Sequence, residues 1–273
     1  MIKILLTLLL VSSLASCQND NYLPGYRFSN FKNTPVEDLA NAIKVNDTIE
    51  LVNQLKKGVD LDFKDPEYKM SLLCLAIANH KKESFLALLN NGANFNLICG
   101  TYNDYNPFII AVKFSENCES FYIEELLKRG CKPNKLVYYI DKVKYEKSPF
   151  FISLFLNSNE TKSCISISKL LLDNGVTLNE TEIGEFDKRE ISIIEFCLLH
   201  SNLDFLEYLL VEKKVKAPKK AITYGSLVIG DTPPYSLTIT ETLMQEDYVA
   251  SNDDSFEKTK QRILNYLKKT NQK

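Results

Sequence analysis

Apolar residues along most of this chain fall into short clusters that recur in a fixed order. Two phrases alternate. The first is a polar residue followed by an apolar run that reaches a small residue at its sixth place. It reads Ser71-Leu72-Leu73-Cys74-Leu75-Ala76, then Asn106-Pro107-Phe108-Ile109-Ile110-Ala111. It returns as Ser148-Pro149-Phe150-Phe151-Ile152-Ser153 and Ser192-Ile193-Ile194-Glu195-Phe196-Cys197. Near the start only Leu39-Ala40-Asn41-Ala42 survives. The second phrase is a Leu pair, two residues and a Gly, as in Leu88–Gly92, Leu126–Gly130 and Leu171–Gly175. A weaker copy ends at Gly58, and Leu209-Leu210-Val211-Glu212-Lys213 has lost the Gly. Successive copies of the second phrase lie 34, 38, 45 and 38 residues apart.

Each position has a physical reading. The opening Ser or Asn caps a helix by accepting a hydrogen bond from an otherwise orphaned backbone N–H. Pro at the next place suits the first helical position, where its missing N–H costs nothing. A small sixth residue lets neighbouring helices approach. The Leu pair lies on a second helix, and Gly ends that helix in a left-handed conformation. The pattern predicts about five helix-turn-helix units over residues 34–216.

The paired phrases resemble those of the ankyrin-repeat family, the first corresponding to its Thr-Pro-Leu-His-x-Ala signature. Helical arrays of TPR or HEAT type lack the paired capping phrase and the Gly after the Leu pair. The resemblance implies an all-α, ankyrin-like solenoid with β-hairpin fingers. It also implies that fingers and first helices line a concave face for protein partners.

Departures from the period are informative. Extra residues fall between the helices near Ser115–Ser120 and Asn157–Ser166, and these two insertions carry Cys118 and Cys164. A disulfide between them suits an oxidising compartment. Cys131 and Cys197 read as small buried hydrophobes, while Cys74 and Cys99 stay undecided. The connection 132–147 is apolar and aromatic, with a turn signal at Asp141-Lys142, and reads as a β-hairpin. It carries Tyr138, Tyr139 and Tyr145, and the preceding connection carries Tyr102 and Tyr105. These five tyrosines admit two readings, a partner-binding surface or braces between fingers.

The two ends differ from the body. Residues 1–16 hold one Lys and an apolar run too short to span a bilayer, as in a secretory signal. Leu14-Ala15-Ser16-Cys17 resembles the lipobox of bacterial lipoproteins, which implies lipidation of Cys17. A residue other than Asp at position 18 implies outer-membrane retention. Residues 17–33 read as a flexible tether. Residues 217–273 read as an atypical C-terminal cap, with strand-like segments at Ala221–Ile229 and Tyr235–Thr242, or with a sixth degenerate repeat opening at Thr232-Pro233. Phe256–Lys269 is an amphipathic helix, suited to closing a solenoid or, with its narrow apolar face, less suited to lying on a membrane.

Composition narrows the function. There are 33 basic and 35 acidic residues, without the basic excess of a nucleic-acid binder. The two histidines, His80 and His200, fall at turns between helices. No phosphate loop, metal-binding helix or nucleophile elbow is present in the sequence. The expectation is a lipid-anchored envelope protein that binds another protein, without cofactor, metal or catalysis. An immunity factor that blocks a toxin is one specific form, and a structural scaffold is the alternative.

Overall fold

The computed structural model describes residues 23–158, 165–178, 181–183, 190–224, 235–245 and 254–270. They form two compact units. The first holds the described residues up to Phe114, with Phe121–Cys131 and Leu136–Tyr145; the second holds Ser115–Ser120, Lys132–Lys135 and the described residues from Glu146 onward. The arrangement of the described residues is one of repeated helix pairs joined by loops and β-hairpins. Among the described residues no helix is long and apolar enough to cross a membrane.

The first unit stacks three helix pairs: α1 (Glu37–Lys44) with α2 (Thr48–Leu55), α3 (Leu72–Ala78) with α4 (Lys82–Asn90), and α5 (Pro107–Lys113) with α6 (Phe121–Lys128). The capping residues act as the sequence implies. Ser71 Oγ accepts from the Cys74 N–H at 3.3 Å, and Asn106 Oδ1 from the Ile109 N–H at 2.8 Å. The small residues Ala42, Ala76 and Ala111 are buried, as are Leu88 and Leu126 of the Leu pairs. Gly92 closes α4 at φ +93°, a backbone state that costs a side-chain-bearing residue more.

The turns within pairs also use left-handed residues, Asn46 and His80. Asn46 has a second role. Its Oδ1 accepts from both the N–H and the hydroxyl of Ser84, at 3.0 and 2.8 Å, and so caps the start of the helix in the next pair. Successive pairs are therefore tied by polar contacts as well as by apolar packing.

Within the expected tether, residues 24–31 are folded instead. Residues Pro24–Tyr26 and Phe28–Phe31 form two short 3-10 turns with Tyr26, Phe28 and Phe31 buried. The polar character of the segment hid this. The second turn packs on α1 and the first on α3, and Tyr26 reaches Phe114 and Lys113 at the end of α5, so the segment runs along the helix pairs.

The second unit contains α7 (Pro149–Ser158), α8 (Ile165–Asp173), α9 (Ile193–Leu199) and α10 (Leu203–Glu207). Phe150 and Phe205 meet edge to face at 5.8 Å, and Phe151 and Phe196 at 5.0 Å. Asn202 caps α10 and also donates to the Leu154 carbonyl at 3.0 Å. The small sixth-place Ser153 hydrogen-bonds Ser168 across α7 and α8 at 2.8 Å.

The fifth pair ends differently. A π-helical turn, Tyr208–Glu212, lengthens α10, and the left-handed residue is Lys214 rather than the expected Lys213. The extra residue in the wider π turn shifts the helix end by one place.

The C-terminal region repeats the layout of hairpin and two helices. Strands β5 (Ile222–Tyr224) and β6 (Tyr235–Leu237) pair antiparallel, Ile222 opposite Leu237. The strand expected over Tyr235–Thr242 stops at Leu237, because Thr238 opens α11 (Ile239–Leu243) with a capping box. The Glu241 N–H donates to Thr238 Oγ1, and Glu241 Oε2 accepts from the Thr238 N–H. The long α12 (Asp254–Lys269) packs on α10 and α11 through Ile263 and Leu267. Residues 225–234, including Thr232-Pro233, lie outside the described residues.

Candidate partner-binding surface

Between the helix pairs run the fingers. The first, 59–70, is organised by one carboxylate. Asp65 is fully buried, and its two oxygens accept from the N–H groups of Glu67, Tyr68 and Met70 at 3.0, 2.6 and 2.7 Å. Three backbone donors around a buried carboxylate fix the loop and satisfy the charge. The Gly100 N–H donates to the Lys69 carbonyl at 3.0 Å and so joins this finger to the next.

The second finger closes on a bridge between Cys99 and Tyr105. Gly100 sits at φ +86°, and an added Cβ would lie 2.4 Å from Asp104 Oδ1. The tight turn therefore needs glycine for both conformation and space. Tyr102 lies at the tip and is 56% exposed. Tyr105 turns inward instead. Its hydroxyl accepts from Lys113 Nζ at 3.3 Å, and the same ammonium lies 5.0 Å from its ring. Lys113 also stands 5.5 Å from the Tyr26 ring and 5.8 Å from the Phe114 ring, while Tyr26 and Phe114 meet edge to face at 4.8 Å. Burial, then the neighbouring Tyr105, raises the Tyr26 phenol well above the usual tyrosine range. Tyr105 is thus a brace that seats a lysine among aromatic rings.

The third finger is the expected hairpin, β1 (Leu136–Ile140) paired with β2 (Val143–Lys147). Asp141 and Lys142 both have positive φ, as a two-residue type I′ turn requires. Tyr138 and Tyr145 stack across the hairpin at 5.5 Å with planes 22° apart, and Tyr145 stays 37% exposed. Strand alternation sends Val137 and Tyr139 to the other face, where they are 44% and 63% exposed. Val143 near the turn is 53% exposed. At the base, Lys135 pairs with Glu146 at 3.3 Å and donates to the Thr181 carbonyl of β3 (Thr181–Ile183), which pairs with β4 (Glu190–Ser192). Five lysines and two acidic residues occupy 132–147, so the finger is basic in a chain of net charge -2.

The five tyrosines therefore divide. Tyr102, Tyr139 and Tyr145 offer surface, Tyr138 supports Tyr145 from within the hairpin, and Tyr105 packs inward. The sequence hinted at this division only through alternation along β1. The lysine seated on Tyr105 had no signal, because Lys113 and Tyr26 come from different elements.

The cysteines separate as well. Cys131 and Cys197 are buried thiols outside any disulfide, and burial raises Cys197 above the usual thiol range. Cys74 and Cys99 are also buried and free. Cys118 is disulfide-bonded, and Asn117 and Cys118 both hold positive φ. Cys164 and the expected lipidation site Cys17 lie outside the described residues.

Little here resembles a catalytic centre. His80 packs near Tyr122 and His200 against Phe196, with ring centroids 6.4 and 4.2 Å apart. Among the described residues no group of three or more His, Cys, Asp or Glu side chains could hold a metal ion. A shallow depression on the first helix pair is edged by Asp38, Asp47 and Glu50, and Asp47 is occupied in capping α2.

Comparison with known proteins adds little sequence information. No family model matches the chain, and no curated protein matches it. Among solved structures, the ankyrin repeat domain of human ASB11 resembles it with a TM-score of 0.46 at 18% identity, covering 63% of this chain and 67% of that one.

Proposed function

We propose that this chain is an ankyrin-type binding module that captures another protein on its fingers. The observation that carries the reading is that large apolar and aromatic side chains stay exposed on the fingers: Tyr102 on the second, and on the two faces of the hairpin Val137 with Tyr139 and Val143 with Tyr145. Large apolar groups left exposed on ordered loops are available to a partner. Tyrosine adds wide contact area with few rotatable bonds. The fingers are ordered before a partner arrives, by the buried Asp65 carboxylate, the Tyr105–Lys113 brace and the Tyr138–Tyr145 stack. Less freedom remains to be lost on binding, which favours affinity. Lysines around the hairpin favour an acidic partner and faster encounter at low salt.

In this proposal the lipobox-like segment places the module at the bacterial envelope, with Cys17 lipidated and the repeats acting beside the membrane. No step of the function uses a cofactor or bond chemistry.

Crosslinking in native membranes followed by mass spectrometry tests the reading, using the wild-type chain and a Tyr102→Ala, Tyr139→Ala, Tyr145→Ala variant. One partner enriched with the wild type and lost with the variant supports it. The same set of proteins with both chains would remove the fingers as the binding surface. Metabolic labelling with a fatty acid checks the anchor: label should enter the wild type and not a Cys17→Ser chain.

A further inference from the structure

Lysine is concentrated at one end of the second unit. Residues 213–220 hold Lys213, Lys214, Lys216, Lys219 and Lys220, with no acidic residue among them. All five side chains are exposed. The run is irregular but held at both ends. The Lys213 N–H donates to the Tyr208 carbonyl at 3.0 Å and the Val215 N–H to the Leu209 carbonyl at 2.9 Å, while the Ala221 N–H donates to the Leu237 carbonyl of β6 at 2.7 Å. The carbonyls at a helix end attract a lysine in the last turn, but that pull has faded by Lys216, Lys219 and Lys220.

The C-terminal helix adds to the same end. Thr259 meets Asp204 and Arg262 meets Glu207, each pair 55 residues apart in sequence. A constant separation means that α12 lies beside α10 and runs in the same direction. The last turn of α12, with exposed Lys268 and Lys269, therefore points to the end where the lysine run begins. Glu212 and Asp173, beside the run, face lysines of their own, Lys169 at 3.6 Å and Lys213 at 3.9 Å. What remains is a cluster of exposed ammonium groups in a chain of net charge -2.

We propose that this lysine cluster contacts an anionic phospholipid surface. Protein interfaces are poor in lysine and rest on aromatic and apolar anchors. The run offers no such anchor: its other residues are Val215, Ala217 and Pro218, all half-buried. It has no arginine to grip a phosphate with a planar fork and no ring on which a base could stack. Compact, mobile ammonium groups suit a fluid array of phosphate charges, to which each lysine near the surface adds attraction. The apolar face of α12 is used against α10 and α11, so the contact is one of charge, without insertion. The inference rests on the envelope reading for the presence of a bilayer, and adds a second contact that holds the second unit against it.

The test mixes the full chain with vesicles of phosphatidylcholine alone, or of two parts phosphatidylcholine to one part phosphatidylglycerol. An amine-reactive reagent then labels the lysines, and mass spectrometry reads each site. Labelling of Lys214, Lys216, Lys219, Lys220, Lys268 and Lys269 should fall by about threefold or more on the anionic vesicles and recover at high salt. Lys56 and Lys57, exposed in the first unit, should label equally on both. A Lys216→Glu, Lys219→Glu, Lys220→Glu chain with the wild-type urea midpoint should bind the anionic vesicles about tenfold more weakly, or weaker still. Equal labelling on the two vesicles, protection that survives high salt, or wild-type affinity in the variant would overturn the proposal. So would protection of these lysines by a captured acidic protein and not by the anionic vesicles. The wild-type labelling decides the matter even where the variant folds poorly. Neither the finger partner nor the fatty-acid label enters this assay, so its failure is distinguishable from theirs.

Discussion

The second helix pair and the fifth pair meet the same requirements by different means. The second is regular: Ser71 caps it, Ala76 lets neighbours approach, and Gly92 ends it in a left-handed state with open space around its Cα. The fifth keeps the cap, Ser192, and the small residue, Cys197, but ends on a π turn and a left-handed Lys214. It is then sealed by polar ties as well as by apolar packing. Arg262 of α12 forms two hydrogen bonds with Glu207, at 2.6 and 2.7 Å, and Thr259 donates to Asp204 at 3.2 Å. Positions that pack between helices tolerate little change, whereas the means of ending a helix is negotiable.

Five substitutions test that contrast. The largest effect should come from buried rings. Phe85→Ala and Phe205→Ala each remove a fully buried phenylalanine and should cost about 3–5 kcal/mol, read as a lowered urea midpoint. A much smaller loss at Phe205 would show that the fifth pair is more loosely packed than its geometry implies. Next comes the helix end: Gly92→Ala should cost about 1–2 kcal/mol through its positive φ alone, since no neighbour obstructs the new methyl. The reciprocal change, Lys214→Gly, should stabilise by about 0.5–1 kcal/mol, and a loss instead would mean that the lysine side chain matters more than its backbone state. Breaking the exposed Arg262–Glu207 pair with Arg262→Ala should cost only about 0.2–1 kcal/mol, and less in high salt.

A pH series gives the smallest effect. Hydrogen bonds from Lys128, then from Arg129, hold the Glu125 carboxyl below the usual carboxylate range. A lowered folded-state value means that the stabilisation is present above the unfolded value and disappears as pH falls through the folded one. Urea midpoints of wild type and Glu125→Gln should therefore differ slightly at pH 7, and the gap should narrow as pH falls below the usual carboxylate range. A gap that does not narrow with falling pH would assign the effect to packing rather than charge.

The helix stack was legible in the sequence because its rules are local. A capping Ser or Asn, a small sixth residue and a helix-ending Gly each act within one helix or against its nearest neighbour. The β1–β2 hairpin was legible for the same reason, through its alternation and its turn. Other features depend on residues distant in sequence. Tyr26 and Lys113 meet Tyr105 only after folding, so the brace was invisible and the five tyrosines could not be sorted. Tyr26, Phe28 and Phe31 were overlooked because the surrounding residues are polar, although three aromatics in six residues was a signal worth weighing.

The packed turns at residues 24–31 also have a mechanical consequence. Tyr26, Phe28 and Phe31 are wedged into the interior, and the Asn79 side chain on the second helix pair donates to the Tyr26 carbonyl at 2.9 Å. A pull applied before residue 23 would not first stretch slack chain up to residue 33. It would load the aromatic wedge directly and pass into the second helix pair as well as the first. Whatever holds this protein at its N-terminal side thus grips the side of the repeat stack, through Tyr26 as far as the third pair, and tension there would be resisted by buried rings.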